Sequence, residues 1–313
     1  MKNRIFTAFV FVALLTIAFL SREITPYIFD IFILGVAVVG AFEFSKILSK
    51  ANLFNNKTAS YIFPVASYIL FVLAINLKLQ IWLGVLLELA LLVLVFALIF
   101  LTGIIFRKQT QNEIITRNIT DTSIAKFAFK KALNTIFVFV YPTTLAFGIL
   151  ILNHFGDFGM YTGEYKKQIS IFALLLAVVI PISNDTFAML CGSLLKGKKL
   201  CPNISPNKTI SGAVSGVVFG MLITCCLYLI LASIDTFLVA FGDIKIEFWH
   251  IIILSFVTSI LCQLGDLFES FAKRKAQIKD SGQVFPGHGG VLDRFDSHLF
   301  GYLPIICYLL FLI

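Results

Sequence analysis

The sequence predicts an all-α, polytopic integral membrane protein of about nine transmembrane helices, with polar segments at the ends of its C-terminal helices. Three observations carry that prediction. Of 313 residues, 59% are hydrophobic and only 13% are charged, against ~25% charged in ordinary soluble domains. Apolar runs near the ~20 residues that cross a bilayer recur along the whole chain. One dense polar stretch, residues 265–297, is wedged between two such runs and holds five of the 17 acids and five of the 25 Lys and Arg.

The predicted spans are 5–20, 27–42, 61–77, 81–106, 133–152, 169–190, 210–232, 248–264 and 298–313. The first follows Met1, Lys2, Asn3 and Arg4; it has no small-x-small cleavage site before Ser21, so it reads as an uncleaved helix. The order divides the chain into N-terminal helices (1–106), a cytoplasmic connector with a middle helix (107–168) and a C-terminal catalytic region (169–313). With the N-terminus inside, 20 of the 25 Lys and Arg fall in inner segments, leaving Arg22, Lys78, Lys166, Lys167 and Lys245 outside. That asymmetry predicts a cytoplasmic N-terminus and a cytoplasmic polar stretch. It also explains the net charge of +8 without nucleic acid, because the basic residues lie between apolar runs. Six Cys at 191, 201, 225, 226, 262 and 307 form no C-x-x-C pair and read as small buried hydrophobes. In 107–131, Thr116, Thr120 and Thr122 with Lys126, Lys130 and Lys131 are expected either along an interfacial amphipathic helix or in a solvated connector.

The stretch 265–297 has its own physical content. On a helix, Asp266, Glu269, Ser270 and Lys273 fall at i, i+3, i+4 and i+7, on one face. Asp293 and Asp296 are again three apart. Between them, Pro286, Gly287, His288, Gly289 and Gly290 form a loop whose N–H groups are free to cradle an anion. Carboxylates flanking such a loop suit a divalent cation carrying phosphates, since Mg²⁺ takes one or two carboxylates plus phosphate oxygens and water. A second constellation follows the sixth span. Asp185 lies late in an apolar run, where a carboxylate requires a partner or a polar cavity. Lys208 follows Ser205 and Pro206, read as restarting a helix whose terminal amides suit phosphate. Asp30 and Glu88, isolated acids inside apolar runs, read as helix–helix hydrogen-bonding groups or as interfacial residues. His154, His250, Trp82 and Trp249 fall at outer boundaries, as an interfacial belt predicts.

Ser270, Lys273, Arg274, Lys279, Asp280, Gly282, Pro286, His288, Gly289, Gly290, Asp293, Arg294 and Asp296 together resemble the signature of phosphatidate cytidylyltransferases, also called CDP-diglyceride synthetases. Asp185, Thr186, Ser205, Pro206, Lys208, Thr209 and Gly212 resemble that family's other shared region. Departures are Ala272, Phe187 and the pair Ile210, Ser211. The resemblance covers about 180–297. It implies transfer of CMP from CTP to phosphatidic acid, giving CDP-diacylglycerol and pyrophosphate in phospholipid biosynthesis. On this reading Asp266 and Asp293 hold Mg²⁺, with Glu269 as a further metal-site acid and Asp296 supporting. Lys273, Asp266, Asp293 and Asp296 form the catalytic set. Lys208, Ser270, Arg274, Lys279, His288, Gly289, Gly290 and Asp185 bind substrate. A second cation, monovalent or divalent, is a further candidate. Expected partners are CTP, phosphatidic acid, the bilayer and a second copy of the chain. Rival readings are a CTP-dependent polyprenol kinase, a CDP-archaeol synthase, or an ion-coupled transporter using Asp30, Glu88 and Asp185 as a relay.

Overall fold

The computed structural model describes residues 13, 16–117, 119, 122–157, 163–285 and 289–312. The helices are α1 (Pro26–Lys50), α2 (Lys57–Asn76), α3 (Ile81–Ile105), α4 (Arg107–Thr116), α5 (Ile124–Val138) and α6 (Leu145–Asn153), then α7 (Lys166–Leu195), α8 (Ile210–Ala232), α9 (Asp235–Asp243), α10 (Phe248–Lys275) and α11 (Leu292–Leu312). Strands β1 (Lys199–Cys201) and β2 (Ser205–Thr209) pair antiparallel between α7 and α8. Among the described residues, eight helical segments are long and apolar enough to cross a membrane, α5 and α6 counting as one. They coincide with eight of the nine predicted spans; the first, 5–20, falls mostly outside the described residues.

Three boundaries differ from the sequence reading. Helix α10 does not stop at the end of its apolar run but continues through Asp266 to Lys275. Helix α11 begins at Leu292, six residues before the predicted span, so Asp293 and Asp296 lie in its first turns. The Ser205–Pro206 pair opens no helix. It starts β2, where a two-stranded hairpin tolerates a residue without an N–H. The helix starts only at Ile210, with Thr209 Oγ1 accepting the Gly212 N–H at 3.1 Å. In the connector, α4 ends at Thr116 and Lys126 to Lys131 belong to α5, capped by Ser123, so Thr116 and these lysines lie on different helices; Thr120 lies outside the described residues.

Apolar side chains gain little from water exclusion inside lipid, so close packing and polar bonds must join the helices. Helix α8 buries Gly212, Gly216, Gly220 and Thr224, one small residue per turn, against its neighbours. A Cβ at Gly216 would stand 2.3 Å from Asn184 Oδ1 of α7. Asn184 donates to the Ser259 carbonyl at 2.9 Å, and Gln263 Nε2 donates to Asn184 Oδ1 and the Ala213 carbonyl, both at 2.9 Å. Two amide side chains thus tie α7, α8 and α10 together. A shared core takes Phe44, Tyr141, Phe172 and Leu299 from all three segments of the chain. Within that core α11 packs on α10, α7, α6 and α1.

The isolated acids find partners, as expected. Glu88 accepts from Ser67 Oγ at 2.8 Å. Asp30 accepts from Asn153 Nδ2 and bonds His154 Nε2, each at 2.8 Å, while His154 Nδ1 bonds Asp157 at 2.8 Å. His154 is 1% exposed, buried between two carboxylates. Burial lowers its pKa, but the Asp157 and Asp30 hydrogen bonds and charges outweigh that and raise it to about 9. The same bond from His154 holds Asp157 below the usual carboxylate value.

Candidate active site

The extension of α10 past its apolar run decides the site. Asp266, Glu269, Ser270 and Lys273 lie along one strip of the helix, and Lys273 is buried with Glu269. The first turns of α11 bring Asp293 and Asp296 against that strip. Lys273 Nζ donates to Asp293 Oδ1 at 2.6 Å and lies 3.3 Å from Glu269 Oε1. Asp296 lies beside Glu269 and faces the charges of Asp266 and Asp185. From α7, Asp185 accepts the Ser297 hydroxyl at 2.8 Å, across 112 residues of chain. From β2, Lys208 forms an ion pair with Asp266. Asp293 Oδ2 accepts from the N–H of Ser281, the hydroxyl of Ser281 and the N–H of Gly290, at 2.9, 2.9 and 2.7 Å.

These groups surround a cavity of about 900 Å³. Asp185, Asp266, Asp280, Asp293 and Asp296 line it, and so do Lys196, Lys199, Lys208, Lys273 and Arg294. Five acids and five cations in one concave space make a chemistry of a definite kind. Hard carboxylate oxygens suit a divalent cation, and ammonium and guanidinium groups suit phosphate oxygens. Among the described residues that line it, neither Ser–His–Asp nor Cys–His geometry is built.

A sequence profile of the cytidylyltransferase family matches residues 2–313. The chain belongs to the cytidylyltransferase family. Relatives named phosphatidate cytidylyltransferase include a Helicobacter pylori protein, 37% identical over 187 residues (59% of this chain and 60% of the relative). One from Staphylococcus saprophyticus is 36% identical over 165 residues (53% and 58%). One from Rickettsia conorii is 44% identical over 126 residues (40% and 52%). The matched part thus spans between half and two thirds of each relative's length.

Within this family member, the structure sorts the expected site residues. Asp185, Lys208, Asp266, Lys273, Asp293 and Asp296 line one cavity. Glu269 lies behind them, fully buried. Ser270 is a weak donor to Asp266 at 3.4 Å. Gly289 and Gly290 form the loop before α11, and Gly290 binds Asp293. Two residues expected to bind substrate lie off the cavity wall. Arg274 donates to the Ile204 carbonyl at 3.1 Å, pinning the hairpin turn, because it points about 100° round α10 from Lys273. Lys279 is exposed and contributes nothing to the cavity wall. His288 lies outside the described residues. Phe187, a departure from the family pattern, stacks on Phe219 at 4.5 Å and so serves the α7–α8 packing.

Sequence reasoning missed several groups. Lys196, Lys199 and Arg294 join the wall, and only Arg294 carried a signal, its place beside Asp293 in the signature. Glu43 of α1 was also passed over, although it contacts the loop before α11. An acid three residues before Lys46, at the end of an apolar run, looks like an ordinary interfacial charge.

Proposed function

We propose that this chain is a phosphatidate cytidylyltransferase that joins CTP to phosphatidic acid, yielding CDP-diacylglycerol and pyrophosphate. The observation that carries the reading is the meeting of the α10 strip, the first turns of α11, Asp185 and Lys208 on one cavity, in a member of this family. A phosphate oxygen of phosphatidate forms a bond to the α-phosphorus of CTP while the bond from that phosphorus to the bridging oxygen breaks, releasing pyrophosphate. Phosphatidate is already anionic at neutral pH, so the step needs little general-base help. What opposes it is repulsion between anions and the charge gathering on pyrophosphate, which fixed cationic groups relieve.

The residues fit Mg²⁺. The donors are all oxygens: five carboxylates line the cavity, and Glu269 is buried behind them beside Lys273 and Asp296. Asp266 and Asp293 would hold the ion, with Glu269 and Asp296 behind them; a second cation belongs to the same acid set. When bound, Mg²⁺ neutralises triphosphate charge and stabilises the departing pyrophosphate. Among the described residues no three acid, His or Cys side chains already form a metal cluster. Asp266 is held by Lys208 and Asp293 by Lys273. With the ion on Asp266 and Asp293, Lys208 and Lys273 would be free to take up phosphate oxygens. Arg294, Lys196 and Lys199 supply further charge along the wall.

The bilayer explains the architecture. Moving each CH₂ of a lipid tail into water costs about 0.8 kcal/mol, so the reacting groups must come to the interface. We infer that this interface is the cytoplasmic one, with a cytoplasmic N-terminus, from the 20 to 5 division of Lys and Arg. The homodimer expected from the sequence is read by native mass measurement in nanodiscs. The transporter alternative requires Asp30, Glu88 and Asp185 to communicate, yet they bond separately to Asn153 and His154, to Ser67 and to Ser297. The deciding experiment incubates purified protein with labelled CTP and phosphatidate, beside polyprenol and archaeal-lipid controls. Labelled CDP-diacylglycerol with phosphatidate alone is expected; product only with polyprenol or archaeal lipid would refute the assignment.

A further inference from the structure

Glu43 belongs to α1, far in sequence from every residue the reaction uses, yet it is 2% exposed. Its Oε1 accepts the Val291 N–H at 3.1 Å, and its Oε2 accepts the Leu292 N–H at 2.9 Å. Leu292 opens α11, and the amides that open a helix have no partner inside it. Glu43 therefore caps a helix from 249 residues away, with the negative charge that the positive end of a helix dipole favours. The neighbouring loop is shaped to admit it. A Cβ at Gly282 would stand 2.0 Å from Glu43 Oε1, and one at Gly290 would stand 2.3 Å from the same atom. Any larger residue at either position would push the carboxylate out.

Glu43 and Asp293 are joined through one hydroxyl. Ser281 Oγ lies 3.1 Å from Glu43 Oε2 and 2.9 Å from Asp293 Oδ2. A serine has a single O–H proton to donate, so the two carboxylates compete for it. Whatever draws on Asp293 from the cavity side shifts that proton toward Glu43.

We propose that Glu43 is a positioning residue: it locks Ser281, Val291 and the first turn of α11, so that Asp293 is presented to the cavity in one fixed arrangement. The catalytic meaning of that arrangement rests on the cavity being the CTP site. The anchoring itself does not, which lets the two be tested apart. Glu43→Gln keeps the shape, but its NH₂ faces an amide N–H whichever way the group is turned, so one bond is lost. Hydrogen–deuterium exchange on the purified protein should show faster exchange over residues 289–293 with the other helices unchanged. With CTP and phosphatidate, kcat should fall by about tenfold or more and KM for CTP should rise, while KM for phosphatidate stays. A mere loss of folded enzyme moves neither KM. Glu43→Asp, which keeps the charge one methylene short, should recover part of kcat.

Wild-type exchange over 289–293 in folded Glu43→Gln overturns the proposal, and so does wild-type kcat with wild-type KM for CTP. If Glu43→Gln does not survive purification, Gly282→Ala carries both readouts, since its Cβ would stand 2.0 Å from Glu43 Oε1 and displace the carboxylate from the two amides. Wild-type exchange and kcat there also overturn it. Altered exchange in the variant, where the wild-type protein itself turns over no phosphatidate, upholds the anchoring and refutes the proposed function instead.

Discussion

Replacing Asp293 by Asn is the sharpest test of the site, because its consequence follows from donors that can be counted. Oδ1 receives Lys273 at 2.6 Å, while Oδ2 receives the Ser281 N–H, the Ser281 hydroxyl and the Gly290 N–H. An amide has one acceptor oxygen in place of two. The new side chain keeps its oxygen toward the loop, where three donors wait, and turns its NH₂ toward Lys273. The loop bonds survive and the ion pair does not. Breaking a buried pair by removing one partner costs about 3–5 kcal/mol. Lys273 retains Glu269 at 3.3 Å, so a cost of about 1–3 kcal/mol is expected, the range for a buried polar group that loses one bond. Activity should suffer far more, about 10²-fold or greater in kcat, as when a preorganised charge is removed from a transition state. The assays are thermal unfolding in detergent and CTP-dependent formation of CDP-diacylglycerol. A folded Asp293→Asn protein with wild-type kcat would refute the placement of Asp293 at the reacting centre.

Other consequences are measurable. Lys273→Met leaves Glu269, Asp293 and Asp296 facing one another without that cation, so its melting temperature should fall below that of Asp293→Asn; equal or higher stability would contradict the buried pairing. Chelating divalent cations should stop turnover and restoring Mg²⁺ should recover it, whereas turnover indifferent to chelator would sink the metal assignment. Gly216→Val should lower stability by about 1–3 kcal/mol, the range for overpacking, because its Cβ would stand 2.3 Å from Asn184 Oδ1; an unchanged melt would mean that α7 and α8 are not so closely packed. The His154 pKa is raised to about 9 from an ordinary ~6.5. Its contribution, about 3 kcal/mol at most, is therefore complete below pH ~6.5 and fades as pH rises through about 9. Melting curves from pH 6 to 10 should show that loss in the wild type and not in His154→Gln.

Much of the molecule was legible in the chain because it depends on neighbours in sequence. Hydrophobic runs mark the crossings, since a bilayer demands unbroken apolar length. Asp266, Glu269, Ser270 and Lys273 share a face because the helical repeat alone places them so. The spacing of Asp293 and Asp296 marked the same property on α11. What the chain could not show are meetings between distant segments. The Ser297–Asp185 bond spans 112 residues, and the Leu292–Glu43 bond spans 249. Arg274 and Lys273 are adjacent and equally basic, yet only Lys273 faces the cavity, because the helix turns about 100° between them and only its packing says which side is inward. Local pattern determined that acids and bases would gather at the ends of the C-terminal helices. Tertiary packing decided which of them meet, and that a carboxylate from the N-terminal helix α1 holds them in place.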